Sequence, residues 1–255
     1  MDKIPLLNLL LLQMKTTLLI APLLILTTLS SFNKPSRITP VTITVQPGIP
    51  STFDIDGGLR QALVLGTSKS SDQLSAVNGF FGNAAVKILF PPQAQRAEKT
   101  LRSLGLNKLC DDVILSLNRA AEDAAKQAKP IFVSAIKRMT IQDVTNILLG
   151  SQDAATQYFK RTTTADLTAK FKPVIQVSLN KVGATKYYAD AAKEYNKIPF
   201  VKKMNPDISD YTTQKAIDGL FYEIAIEELN IRKNIGARST PLLHKVFGFA
   251  DSKKQ

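Results

Sequence analysis

The sequence predicts an all-α protein, a single-domain helical bundle of about seven to nine helices behind an N-terminal signal segment and an extended linker. Two observations carry this. Aromatics make up 7% of the chain with no Trp, while 44% of residues are hydrophobic, so burial rests on Leu, Ile, Val and Ala, the usual stock of helix packing. Beyond about residue 57, apolar residues recur at helical spacing, punctuated by Gly and Pro. No fixed-period repeat and no second domain is evident.

The first forty residues differ from the rest. "MDKIPLLNLLLLQMKTTLLIAPLLILTTLSS" carries an apolar run from Leu18 to Leu29 behind Lys15, the pattern of a secretory signal. Read from Met14 the signal is better formed, which points to Met14 as the translation start. The competing reading is a retained membrane anchor: residues 6–29 are long enough to span a bilayer but are interrupted by Gln13, Lys15 and Pro22. No cysteine follows the run to carry a lipid. The expected location is therefore the periplasm or cell envelope, anchored if the segment is retained. Residues 1–30 are the signal or anchor, 31–56 a Pro-, Ser- and Thr-rich linker, 57–249 the helical domain and 250–255 a basic tail. Within the linker, "VTITV" alternates like a strand but is bracketed by Pro40 and Pro47.

The helices follow in order. "GLRQALVLGTSKSSDQLS" supplies Leu59, Ala62, Leu63 and Leu74 on one face, with Gly66 a weak point. "NGFFGNAAVKILFPP" forces a turn and a short extended piece. A helix from about Gln93 to Leu104 stops at Gly105. From Asn107 an alanine-rich stripe runs through Cys110, Ile114, Leu117, Ala121, Ala124, Ala128, Ile131 and Ala135, with a kink or break at Pro130. Small side chains let neighbours approach, so this helix belongs at the centre of the bundle. Thr140 with Asp143 caps "IQDVTNILLG". Ser151 can cap "QDAATQYFKR", and Thr162 to Thr164 can cap a separate helix, "ADLTAKFKPVIQVSLNKVG". Residues 183–209 are the least regular, with "KIPFVKKMNPD" a loop. "KAIDGLFYEIAIEELNIRKN" places Ile217, Leu220, Phe221, Ile224 and Ile231 on one face, with Glu228 in its middle. Ser239 or Thr240 caps a last short helix with Pro241 at its first position.

Chemistry is then bounded by elimination. His244 and Cys110 are the chain's only histidine and cysteine, so zinc centres built on several such ligands fail, as do paired Glu-x-x-His carboxylate sites. An all-oxygen calcium site needs neither residue, but no Asp-rich twelve-residue loop is present. No Gly-x-Ser-x-Gly elbow, phosphate-binding loop or dinucleotide fingerprint occurs. No cofactor is expected. Cys110 shares the apolar stripe and reads as a buried, inert thiol.

The formal charge is +12. Its lysines are scattered among acids with no aromatic-basic motif, which argues against nucleic acid. The charge reads first as a solvated basic surface with no dedicated partner; the partners left open are an envelope protein, a small ligand or anionic lipid.

What survives is a set of polar residues near apolar faces: Asn118, Glu122, Tyr158, Arg161, Thr162, Asp218, Glu227, Glu228 and Arg232. Glu228 and Arg232 stand at i and i+4 in the order that favours an ion pair. They form either a buried structural network, with Arg161 a further partner from another helix, or the lining of a ligand pocket.

"GLRQAL", "FFGNAAVKILFP", "LNRAAEDAA", "AATQYFKRTT…L…FKPVI" and "TQKAIDGLFYEIAIEELNIRKN…R…LLHKVFG" resemble, in order, the blocks of a bacterial envelope family known as domain of unknown function 4197, over about residues 56–248. The resemblance implies an export signal, often with a lipoprotein cysteine that this chain lacks, ahead of one helical domain. It supplies no activity, cofactor or catalytic residue. It marks Arg161, Thr162, Asp218, Glu227, Glu228 and Arg232 as family-pattern positions. Where the family pattern has Ile-Pro-Leu-Pro, this chain has Ile88-Leu89-Phe90-Pro91, without the first proline. The leading expectation is a non-catalytic exported binding protein. The alternatives are a carboxylate-dependent hydrolase or lyase using Glu228, and a basic protein that docks on anionic lipid.

Overall fold

Ser51 and Asp54 start the fold. In the computed structural model, which describes residues 49–181, 183–204 and 207–253, the Ser51 hydroxyl accepts the Asp54 N–H at 3.1 Å. The Asp54 carboxylate accepts the Ser51 N–H at 2.9 Å in return. This reciprocal cap opens α1 (Thr52–Ser75) inside the stretch read as linker, so the helical part begins at Thr52 rather than at residue 57. The stretch read as a signal or anchor, and "VTITV", lie outside the described residues. Gly66 does not interrupt α1; a Cβ there would lie 3.7 Å from Glu227, so the position faces a neighbouring helix.

After an irregular stretch, residues 76–91, a 3-10 turn at Pro92–Ala94 leads into α2 (Gln95–Ser103). Gly105 ends it in the left-handed region at φ +83, and the Leu106 N–H reaches back to the Leu101 carbonyl at 3.0 Å, the expected glycine-terminated closure. The alanine-rich stripe becomes two helices, α3 (Asn107–Ala125) and α4 (Ala128–Lys137). The break falls ahead of Pro130, because a proline at that position clashes with the carbonyl of Lys126 four residues earlier. Thr140 and Asp143 cap α5 (Ile141–Leu149) reciprocally, as the sequence predicts.

Two expectations need correction. First, Thr162 to Thr164 cap nothing: α6 runs unbroken over Ala154–Lys181. Thr162 and Thr163 donate back to the Tyr158 and Phe159 carbonyls four residues earlier, at 2.8 and 2.6 Å, the alternative use of a helical threonine hydroxyl. Second, the region read as irregular holds α7 (Ala184–Asn196), which buries Ala184, Tyr188, Ala191, Ala192 and Tyr195 at helical spacing. α8 (Ser209–Lys233) and α9 (Pro241–Ser252) follow. Thr240 caps α9 with Pro241 at its first turn, and the helix takes in residues 250–252 of the stretch read as tail.

The described residues thus form nine α-helices and no strand. α8 packs on α1, α3 and α6, and α3 packs on α1 and α6. Ala120, Ala121, Ala124 and Ala125 of α3 are wholly buried, which lets the long helices close around it. At the centre Phe132 meets Phe159 and Phe221 edge-on, with centroids 5.4 and 6.3 Å apart. Cys110 is fully buried, and burial pushes its thiol pKa up, which keeps it protonated. No described helix is long and apolar enough to cross a membrane.

Candidate functional site

Glu228 enters from α8, and its two oxygens accept five hydrogen bonds. Oε1 takes the Ala155 N–H at 2.9 Å and two donors of Arg232 at 3.0 and 2.8 Å. Oε2 takes the Thr156 N–H at 2.9 Å and its hydroxyl at 2.8 Å. Ala155 and Thr156 lie in the first turn of α6, whose amides have no helical partner. Glu228 is therefore a cap supplied by another helix, with its charge at the positive end of the α6 dipole. Arg232 does the reverse for α5: its guanidinium donates to the Leu148 and Ile147 carbonyls at 3.1 and 2.7 Å, where the dipole is negative. One buried ion pair thus closes the end of α5 and the start of α6 on α8. Arg161 takes no part; it lies over the Tyr158 ring.

The cavity beside this clasp is small, about 30 Å³, and is lined mainly by apolar side chains such as Leu59, Leu63, Phe159 and Ile224. That is room for about one water. The hydrolase or lyase reading needs a cleft at Glu228 that admits a substrate, and this cavity does not supply one.

Asn118 and Glu122 form a second clasp elsewhere, on α3. The Asn118 amide oxygen accepts the Ile88 N–H at 2.8 Å, while its nitrogen donates to the Ile88 and Ile114 carbonyls at 2.8 and 2.7 Å. Glu122 accepts the Phe80 and Phe81 amides at 3.2 and 3.1 Å and the Arg119 guanidinium at 2.6 Å. Together they satisfy the Phe80, Phe81 and Ile88 backbone groups of the irregular 76–91 segment. The remaining predicted residues are scattered. Glu227 pairs with Lys69 of α1 at 2.6 Å. Tyr158, in edge contact with Phe159, has its phenol pKa raised by burial, and Thr162 serves its own helix.

Asp218 lies at an open groove of about 380 Å³ between the 85–95 segment and α8. Tyr211, Lys215, Asp218 and Tyr222 line it from α8, at i, i+4, i+7 and i+11, one continuous helical stripe. Across from them stand Lys87, Leu89 and Gln95. The Tyr211 hydroxyl donates to the Leu89 carbonyl at 3.1 Å, and burial raises its pKa. Asp218 accepts from Gln214 at 2.9 Å and from Lys215 at 3.3 Å, both on its own helix. The Lys87 ammonium sits 4.0 Å from the Phe81 ring centroid. The floor depends on Gly219: a Cβ there would come within 2.6 Å of the Phe80 ring. Two lysines against one acid, with two tyrosine rings, suit an anionic ligand that also has an apolar part.

Sequence reasoning singled out Asp218 but missed the rest of this stripe, although its spacing was legible. It also missed Glu223, which accepts from Asn83 at 2.7 Å and Gln73 at 3.4 Å. Two further arginine caps escaped it. Arg60 donates to the Ile136 carbonyl in the last turn of α4 and, at 2.8 Å, to the Met139 carbonyl just past it, and Arg238 donates to the Ile231 and Arg232 carbonyls near the end of α8, at 3.1 and 2.9 Å. Only the pairing of Arg60 with Asp56 four residues before it carried a local signal. Among the described residues no cluster of His, Cys, Asp or Glu is placed to hold a metal ion.

The chain has no match among curated proteins or solved structures. A family model described as "Protein of unknown function (DUF4197)" matches residues 50–248. That span runs from just ahead of the α1 cap into α9 and contains both clasps and the groove, so the chain belongs to the DUF4197 family.

Proposed function

We propose that the protein is an exported, non-catalytic binding protein of the cell envelope, which takes a small anionic ligand in the groove between the 85–95 segment and α8. The observation that carries the reading is the contrast in how acids are used. The carboxylate of Glu228 is filled by the protein's own amides and Arg232, whereas the groove presents Lys87, Lys215, Asp218, Tyr211 and Tyr222 around open space. Cavities of this size, part apolar with a few convergent polar groups, are the usual form of a small-molecule site. The apolar run behind Lys15 supports export.

Native mass spectrometry of the purified protein, beside its Lys215→Glu and Tyr222→Ala variants, tests the binding. The reading expects a small co-purifying species on the parent protein that both variants lose while their melting temperatures hold. Equal retention by the variants would place the ligand elsewhere. The export reading expects a mature N-terminus beyond residue 30 in the periplasmic fraction; recovery of the whole chain from the cytoplasm contradicts it.

A further inference from the structure

Phe200 is the most exposed large apolar residue described, at 108% of its reference accessibility. Its backbone is in the left-handed region at φ +64, which aromatic residues seldom adopt. A strained phenylalanine with its ring in water calls for an explanation. The segment that carries it is built rather than loose. At its base the Met204 N–H donates to the Asn196 amide oxygen at 2.8 Å, and the Asn196 nitrogen donates to the Met204 carbonyl at 3.3 Å. Ile198 and Val201 pack against the core, so Pro199 and Phe200 form the outward tip.

The surroundings are basic. Lys197, Lys202 and Lys203 are exposed. Lys197 is paired with Glu194 at 2.7 Å, but no ion pair engages Lys202 or Lys203 among the described residues. The same two lysines border a recess of about 230 Å³ with Gln93, Tyr188 and Tyr211, and with Asp207, whose carboxylate accepts from Ser209. An apolar tip flanked by free lysines is the arrangement that places a ring at the acyl boundary of a bilayer and ammonium groups at its phosphates.

We propose that residues 197–203 are a lipid-docking tip, with Phe200 entering the interface of an anionic bilayer and Lys202 and Lys203 contacting its headgroup phosphates. The inference is independent of the groove and stands if the groove binds nothing.

The test exploits the absence of tryptophan from the chain: Phe200→Trp in the full-length protein gives a single indole at the tip. Vesicles of phosphatidylcholine with phosphatidylglycerol should shift its emission to the blue, and brominated lipid should quench it. Pure phosphatidylcholine should do so weakly. Adding Lys202→Glu and Lys203→Glu should weaken the response about tenfold or more, and salt should weaken it further. In the parent background Phe200→Gly, which relieves the positive φ, should lower vesicle affinity about tenfold without lowering the melting temperature. Cosedimentation with the indole still in water overturns the proposal, because it would mean that another part of the chain holds the vesicle. So does an emission already blue-shifted before lipid is added, which would mean that a protein surface covers the tip.

Discussion

Glu228 and Asp218 are acids on the same helix, and the molecule uses them in opposite ways. Glu228 is almost buried, with both oxygens filled by the first amides of α6 and by Arg232. Asp218 is exposed and is held only by Gln214 and Lys215 of its own helix, flexible side chains that can turn to another partner. A buried acid surrounded by polar groups is often read as a sign of chemistry. Here its lone pairs are committed to helix ends, and removing one partner of such a pair strands the other in a medium that charges avoid. The exposed acid contributes little to stability, and the Lys215 ammonium that it holds at 3.3 Å is available to an anionic ligand.

The comparison can be broken at several points. The largest effect is expected at the clasp. Glu228→Gln replaces one of the two acceptor oxygens by an amide nitrogen, which must face the donors of either Thr156 or of Ala155 and Arg232, and leaves the Arg232 charge without its counter-charge; unfolding in urea should show a loss of about 3–5 kcal/mol. Asn118→Leu keeps the volume but leaves the Ile88 N–H and C=O unsatisfied, for about 2–3 kcal/mol by the same measurement. Hydrogen exchange at residues 76–91 should rise with it. A pH titration probes the wall of the second recess. Burial pushes the Tyr188 phenol up to about 12 from its usual value near 10. Its contribution to stability is therefore fully present below pH 10 and is lost as pH rises toward 12, where the unfolded chain binds fewer protons. Tyr188→Phe should flatten that fall. The smallest effect is expected in the groove, where Tyr222→Ala and Lys215→Ala should each move stability by no more than about 0.5 kcal/mol while ligand is lost. A large loss of stability from either would erase the contrast.

Local signals served where the physics is local. The Thr140–Asp143 cap, the Gly105 stop and the Pro241 start were legible because their partners stand within a turn. The order and spacing of Glu228 and Arg232 announced their pairing as well. What the pairing caps was not legible, because the first turn of α6 and the last turn of α5 reach α8 only through the tertiary fold. The same holds for Asn118 and Glu122, whose partners at Ile88, Phe80 and Phe81 come from a segment with no regular structure. The threonine run misled for a stated reason: a hydroxyl that can cap an N-terminus can equally bond back within a helix, and continuous packing of α6 against α3 and α8 decides for the second use. α7 was missed because its buried face is built from alanine and tyrosine, a weaker apolar signal than leucine or isoleucine. The groove stripe went unread because polar and aromatic residues at helical spacing resemble an ordinary solvated face.

The central claim is that Glu228 and Arg232 act as one structural unit. A double-mutant cycle of Glu228→Gln, Arg232→Met and both together, followed by urea unfolding, tests it most directly. The account predicts a large loss for each single variant and a double variant clearly less damaged than their sum, with a coupling of about 1–3 kcal/mol. Additive losses, or single variants as stable as the parent, would contradict it.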